Sequence, residues 1–215
     1  MIIPESWTFK NADVADGFDN HVREQLPWYQ IATSMTAHFA RNYLPEQGTF
    51  IDLGCSTGNI TKACKNELVH RNAKVINIDN SEEMAARFDG VGDVTTADIE
   101  SYDIPQFDVC VMFLSLMFVP VNKRPELIAN LVSKVNAGGV VIIVDKVESF
   151  SGYSGQVISR LTMANKLESG CSADDILKKE LSLSGIQRPL KPELLAPFTK
   201  WFQMGEFCGY LFEGT

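Results

Sequence analysis

Residues 49–58 read Thr49-Phe50-Ile51-Asp52-Leu53-Gly54-Cys55-Ser56-Thr57-Gly58. A short apolar run carries one acid near its end and stops in a turn of small residues with glycines four apart. A helical stretch follows to about Glu67. This is a strand entering a helix through a glycine turn, and glycine there lets backbone approach a ligand closely. Two familiar ligands do not suit it. The dinucleotide fingerprint fails, because Ser56 and Asn59 replace its second and third glycines. The phosphate loop fails for want of Gly-Lys-Ser/Thr. An acid inside the strand end suits a cationic amino group and suits a pyrophosphate poorly.

Outward from that stretch, strands and helices alternate. Lys74–Asp79 is a second strand, and Ser81 caps a helix through about Phe88 with Glu82 and Glu83 in its first turn. A short strand lies near Val94–Ala97. Phe107–Phe113 and Val140–Val144 are strands apolar on both faces. Between them Asn122–Val135 is an amphipathic helix with a stripe of Leu127, Ile128, Leu131, Val132 and Val135, closed by Gly138-Gly139. Such a series predicts an α/β fold, a parallel sheet covered by helices. Before the core, residues 1–27 are mixed and polar. A helix over Trp28–Tyr43 then carries Ile31, Met35, Phe39 and Tyr43 one turn apart, and Pro45 stops it. Beyond Asp145 come two helices, Ser154–Ser169 and Ser172–Leu183, and one or two strands in Trp201–Phe212. The expected layout is one domain: an N-terminal helical cap over 1–45, a core over 46–148, a helical insert over 149–198 and terminal strands over 199–215.

Composition narrows the class. The 215 residues carry 27 acids against 19 bases, a formal charge of −8, with 45% apolar and 21% charged residues. That is globular composition, and the acidic balance argues against a general polyanion binder. Five cysteines with no C-x-x-C pair argue against zinc and against a disulfide framework, so no metal is expected. The start has no basic, apolar leader. The longest apolar stretch, Val109–Val121, contains Ser115 and Pro120 and is too short to span a bilayer. A soluble, cytoplasmic protein with no membrane partner is expected.

In open α/β sheets, ligands bind beyond the carboxyl ends of the strands. Asp52 stands inside the first end. Asp79 closes the second strand, 25 residues past Gly54, where a carboxylate can accept both ribose hydroxyls. It also has the sequence context of a capping Asp. Asp98 follows the third strand, where it can accept from an adenine amino group while Ile99 packs on the ring. The fourth end, Met112–Phe118, offers Ser115 as its one hydroxyl; Met112, Phe113, Met117 and Phe118 are read there as core. Carboxylates at three consecutive strand ends fit one ligand with an amino group, a ribose and an adenine: S-adenosylmethionine.

With these residues in place the chain resembles a class I S-adenosylmethionine-dependent methyltransferase over about residues 18–148, more weakly in the tail. More narrowly it is similar to the carboxy-S-adenosylmethionine synthase family, which serves wobble-uridine modification of tRNA. The likeness rests on Phe18-Asp19 with Val22, Pro27 with Tyr29, Asp52-Leu53-Gly54-Cys55-Ser56 with Gly58, and Ile78-Asp79-Asn80-Ser81. It continues in Asp98-Ile99, Asn136 with Gly138-Gly139, Gly170 with Ser172, and Trp201-Phe202-Gln203. The resemblance implies a Rossmann-like, seven-stranded, mostly parallel sheet with helices on both faces. Its last strand is antiparallel, and the helical insert precedes the final strand pair near the active site. It implies Tyr29, Gly54, Cys55, Ser56, Asp79, Asn80, Asp98 and Ile99 around S-adenosylmethionine or its carboxylated form, and a homodimer.

Two departures stand out. Where the family has an asparagine at the end of the fourth strand, this sequence has Met112. Where it has an arginine that holds the extra carboxylate of the modified cofactor, this sequence has Glu180, with Lys178 and Lys179 adjoining. A glutamate repels a carboxylate and tolerates a plain methylsulfonium. Asp174–Lys178 and Asp175–Lys179 also have the spacing of exposed helix ion pairs.

The favoured reading is a methyltransferase of unspecified acceptor. A carboxy-S-adenosylmethionine synthase drawing on prephenate and a non-catalytic cofactor-binding protein are the alternatives. No general base stands out, since His21, His38 and His70 are isolated. Tyr29 is the polar group read as nearest the sulfonium, and Lys179 and Glu180 are the candidates facing a substrate. Trp28, Tyr29, Phe150 and Tyr153 are available to line a pocket for a flat acceptor, with tRNA or a nucleotide in view.

Overall fold

A computed structural model describes residues 3–148 and 152–215. Seven strands form one sheet: β1 (Thr49–Leu53), β2 (Lys74–Asp79), β3 (Val94–Thr96), β4 (Phe107–Phe113), β5 (Val135–Lys146), β6 (Thr199–Met204) and β7 (Phe207–Glu213). Their order is β3-β2-β1-β4-β5-β7-β6. β1 to β5 pair in parallel, and β7 runs antiparallel to both β5 and β6. The strand order turns back beside β1 and β4, so the crevice beyond their carboxyl ends is where a ligand is expected.

The period of two along each strand divides the core between the two faces of the sheet. Ile51, Leu53, Cys110, Met112, Val141 and Ile143 pack on one face, against Leu127, Ile128 and Leu131 of α6 (Arg124–Lys134). Phe50, Val109, Val111, Val140, Ile142 and Val144 pack on the other. There they meet α2 (Tyr29–Tyr43), α3 (Asn59–Ala63) and α4 (Lys65–His70). The remaining helices are α1 (Ala12–Gln25), α5 (Glu82–Ala85), α7 (Gly152–Glu168) and α8 (Ala173–Ser182).

Three local expectations are corrected. The row Ile31, Met35, Phe39 and Tyr43 only borders the buried face of α2: Ile31 is 59% exposed, Phe39 and Tyr43 pack half-buried against the core, and Ala32, Thr33, Thr36 and Ala40 face inward. Small side chains there let the helix lie close to the sheet. Gly138-Gly139 does not close α6, because β5 begins at Val135. Gly138 (φ 79°) instead donates to the Gly214 carbonyl, and Gly139 lies so near the Asp108 carbonyl that a Cβ would sit 2.5 Å from it. The pair shapes the β4–β5 register shift. The helix from Ser81 is one turn long, although Ser81 Oγ does accept from the Met84 amide as expected. All five cysteines are free, and no His/Cys/Asp/Glu group that could hold a metal ion occurs among the described residues. No helix there is long and apolar enough to cross a membrane.

Candidate functional site

Beyond the carboxyl ends of β1, β2 and β4 lies a cleft of ≈ 900 Å³ including its open mouth. Its floor is built by the quoted turn. Gly54 and Cys55 both donate to the Ile78 carbonyl, at 2.7 and 3.0 Å, which ties the β1 end to the β2 end. Gly54 has φ 82°, and a Cβ on it would sit 2.4 Å from Ser115 Cβ. Ser115 Oγ donates to the Leu53 carbonyl (2.7 Å), so backbone and the β4 end meet where only glycine fits. Ser56, also in the left-handed region (φ 50°), donates its amide to Asp79 Oδ2 at 2.8 Å, and Ser81 donates to Asp79 Oδ1 at 2.9 Å. Asp79 therefore caps the turn, and it also lines the cleft. Burial raises its carboxyl, and the backbone amides work against that rise.

Asp52 is the unusual group. It is 1% exposed and lines the cleft, and neither carboxylate oxygen has a hydrogen-bond partner among the described residues. Burial, and then the charge of Asp79, push it up to about 8. A buried acid left this way is costly unless a ligand completes it. A primary ammonium is the group that would do so.

The other expected residues divide. Tyr29, Gly54, Cys55, Ser56, Asp79, Asn80 and Ile99 line the cleft with Asp52. Asp98 stands just off the wall and accepts from Asn80 Nδ2 at 2.9 Å. Gly58 does not line it: a Cβ there would sit 2.6 Å from the Gly90 amide, so its role is close packing. Tyr29 is buried edge-on to Phe113 (5.3 Å), and burial, then Asp19, hold its phenol above the usual range. It keeps its proton. Burial raises the Cys55 thiol, which is inert as a nucleophile.

Met112 points into the core on the opposite side from the cleft, so the asparagine comparison does not reach the site through it. Phe113, Leu114, Ser115 and Phe118 line the cleft instead. Reading Phe113 and Phe118 as core alone is therefore corrected. Asp19, on α1, accepts from Thr57 Oγ1 (2.6 Å) and Asn59 Nδ2 (2.8 Å), and clamps the glycine turn. Its signal in the sequence was confined to the Phe18-Asp19 likeness.

A second cavity adjoins the first. They share Phe9, Phe18, Leu114 and Phe118. Lys179 and Glu180 lie here, with Trp7, His21, Gln25, Lys146 and Lys166. Asp175–Lys179 is not an exposed pair. Lys179 turns inward onto the Trp7 ring, while Lys178 pairs outside with Asp174. Glu180 pairs with Lys166 at 2.8 Å. Burial acts to raise its carboxyl, but Lys166, Lys146 and Lys179 outweigh that and hold it below the usual range. His21 is not an isolated surface group: it stacks on Trp7, and burial, then Lys179, push it down to about 4. Trp28 packs between Phe202 and Phe207, Tyr153 is 73% exposed, and Phe150 lies outside the described residues.

The profile of the methyltransferase domain family matches residues 50–139. The carboxy-S-adenosyl-L-methionine synthase of Staphylococcus epidermidis is 30% identical over 222 residues, covering 97% of each chain. The chain belongs to the carboxy-S-adenosyl-L-methionine synthase family. A synthase of that family from Shewanella baltica is 26% identical, over 91% of this chain and 88% of its own. Among solved structures, the plantazolicin methyltransferase BpumL in complex with SAH has a TM-score of 0.62 at 16% identity, over 94% of this chain and 90% of its own. Human N-acetylserotonin methyltransferase in complex with SAM has 0.58 at 15%, over 96% of this chain and 58% of its own. At such identities these two establish the fold, which is that of S-adenosylmethionine-dependent methyltransferases. The family makes this chain an enzyme, and the non-catalytic reading loses the support it drew from Met112.

Proposed function

We propose that this synthase-family chain transfers a plain methyl group from S-adenosylmethionine to an acceptor seated in the second cavity. When bound, the cofactor supplies an electrophilic methyl on a sulfonium. In this reading Asp52 takes its amino group, Asp79 its ribose hydroxyls, and Asn80, Ile99 and the nearby Asp98 its adenine. Gly54 gives the close approach, and Tyr29 bounds the reacting end. The enzyme's main work is then orientation, holding the acceptor in line at near-attack distance.

One observation carries the choice of a plain methyl. The residue read at the position of the family's carboxylate-holding arginine is Glu180, and its partner is Lys166 at 2.8 Å. That wall offers a closed ion pair where a carboxylated cofactor needs a free cation. The synthase reading is favoured by the 97% mutual coverage with the Staphylococcus relative and by Lys179 on the same cavity. Calorimetry with the two cofactors separates them. Plain S-adenosylmethionine is expected to bind at least as tightly as the carboxylated form; a preference for the carboxylated form of about tenfold or more, ~1.4 kcal/mol, would establish the synthase reading.

We also propose a homodimer through the helical insert. Tyr153, Val157 and Leu161, successive turns of α7, are 73%, 43% and 45% exposed, and Leu177 and Leu181 of α8 are 60% and 63% exposed. Exposed large apolar side chains grouped along a helix mark an interaction surface. Light scattering is expected to give twice the 23.9 kDa chain mass, and Leu161→Glu with Leu181→Glu should return the monomer. A wild-type monomer at micromolar concentration refutes it.

A further inference from the structure

α1 carries Asp19 and Arg23 four residues apart, so both project from one face of the helix. That face meets the turn after β1, and the two side chains grip one amide from both ends. Asp19 Oδ1 accepts from Asn59 Nδ2 at 2.8 Å, and Arg23 Nη2 donates to Asn59 Oδ1 at 3.1 Å. A carboxylate only accepts and a guanidinium only donates, so the two partners fix which way the Asn59 amide points. Asp19 Oδ1 also accepts from Thr57 Oγ1 at 2.6 Å. Thr57 is 5% exposed and Asn59 9%.

The turn needs such a hold. Ser56 keeps a side chain in the left-handed region, and backbone of that kind persists only where its surroundings impose it. Asp79 supplies one hold from β2, on the Ser56 amide, and Asp19 supplies another from α1, on the next residue. α1 also leads directly into Tyr29. Leu26 donates its amide to the Val22 carbonyl at 2.9 Å, and Tyr29 donates to the Leu26 carbonyl at 2.8 Å. Tyr29, Asp52, Cys55 and Asn59 line the same cleft. After burial, the groups that act on the Tyr29 phenol are Asp19, Arg23, Asp52 and Asn59, so these stand together at one end of it. The hydrogen bonds at the other end involve no residue of α1: Asp79 is held by the Ser56 and Ser81 amides, and Asn80 donates to Asp98. Asp19 and Arg23 do not line the cleft themselves, so they act on it through Thr57 and Asn59.

We propose that Asp19 and Arg23 are positioning residues for the amino-acid half of the cofactor. By fixing Thr57 and Asn59 they pre-form the wall of Tyr29, Cys55 and Asn59 beside Asp52, and a wall already ordered need not be ordered on binding. The ribose and adenine half does not depend on them. The inference rests on reading the first cleft as the cofactor's, with Asp52 at its amino group.

The test compares S-adenosylhomocysteine with methylthioadenosine, which keeps the adenine, ribose and sulfur and lacks the amino-acid part. Both are titrated by calorimetry into the full chain and its variants. Asp19→Ala is expected to weaken S-adenosylhomocysteine about tenfold and to leave methylthioadenosine within about twofold of wild type. Arg23→Ala removes an exposed side chain, and it tests the same point if Asp19→Ala does not fold. It should weaken S-adenosylhomocysteine several-fold with the same selectivity. Asp19→Asn keeps an oxygen that accepts from Thr57 and Asn59, and should recover most of the affinity. Equal losses for the two probes would show a merely structural role and overturn the proposal. So would S-adenosylhomocysteine binding within about twofold of wild type in the folded variants that lack either side chain. So would an Asp19→Asn as weak as Asp19→Ala, because the charge of Asp19 and not its hydrogen bonds would then be acting. A wild type that binds neither probe removes the cofactor reading and this inference with it. A wild type that binds both leaves the cofactor reading standing whatever the variants do, so only this inference then fails.

Discussion

Asp52→Asn is expected to abolish cofactor binding while leaving the chain folded. Both carboxylate oxygens of Asp52 are buried and have no hydrogen-bond partner among the described residues, so the substitution breaks no hydrogen bond there. In the proposed complex they would face the cofactor's ammonium, and removing one partner of a buried ion pair costs about 3–5 kcal/mol. That is a loss of affinity of more than about 100-fold. The free protein should gain stability in the same variant. Burial raises the Asp52 carboxyl from 3.8 to about 8, and Asp145 likewise rises to about 7 through burial. The folded state therefore holds these protons more tightly than the unfolded chain does. Stability from them is fullest below the unfolded value and falls as pH climbs through about 7 to 8. Wild-type thermal stability should decline from mildly acid to mildly alkaline pH, and Asp52→Asn should remove part of that decline, leaving the share from Asp145. A variant that binds S-adenosylhomocysteine within tenfold of wild type would show that Asp52 does not hold the amino group.

Gly54→Val is expected to lose cofactor binding and stability together. The position has φ 82°, and its first side-chain atom would lie 2.4 Å from Ser115 Cβ. The left-handed backbone alone costs a β-branched residue about 1–3 kcal/mol, and overpacking adds a similar amount. The clash would drive Ser115 off the Leu53 carbonyl and move the β4 end, where Leu114 is itself held at φ 57°. Gly54→Ala should show a smaller version of both effects. Thermal melting and calorimetry on the pair check it; wild-type affinity in Gly54→Val would mean that this turn does not approach the cofactor.

The sheet was legible because its strands obey a simple rule. Asp52 and Asp79 stand at the ends of apolar strands, and β4 and β5 are apolar on both faces, as strands between two helical layers must be. The first cleft was legible because its residues stand at successive strand ends, which the topology brings together. The second cavity was not, because Trp7, His21, Gln25, Lys146, Lys166 and Lys179 come from distant segments and no spacing joins them. His21 read as a stray histidine, and Lys179 read either as half of an exposed helix pair or as a group facing a substrate; only tertiary burial distinguishes these. Phe113 and Phe118 show a different limit: an apolar residue at a strand end belongs equally well to a core and to a ligand wall. For α2, the row of large residues concealed that Ala32, Thr36 and Ala40 are the buried positions, with Phe39 and Tyr43 at their edge.

The most direct measurement is the mass of the small molecule released when the purified protein is denatured. S-adenosylmethionine or S-adenosylhomocysteine, with no carboxylated form, is the result expected for a cleft built on Asp52 and Asp79 beside a neutralised Glu180–Lys166 wall. The same cofactor carrying one added carboxyl group would contradict the plain methyl reading and place this chain's chemistry with its synthase relatives.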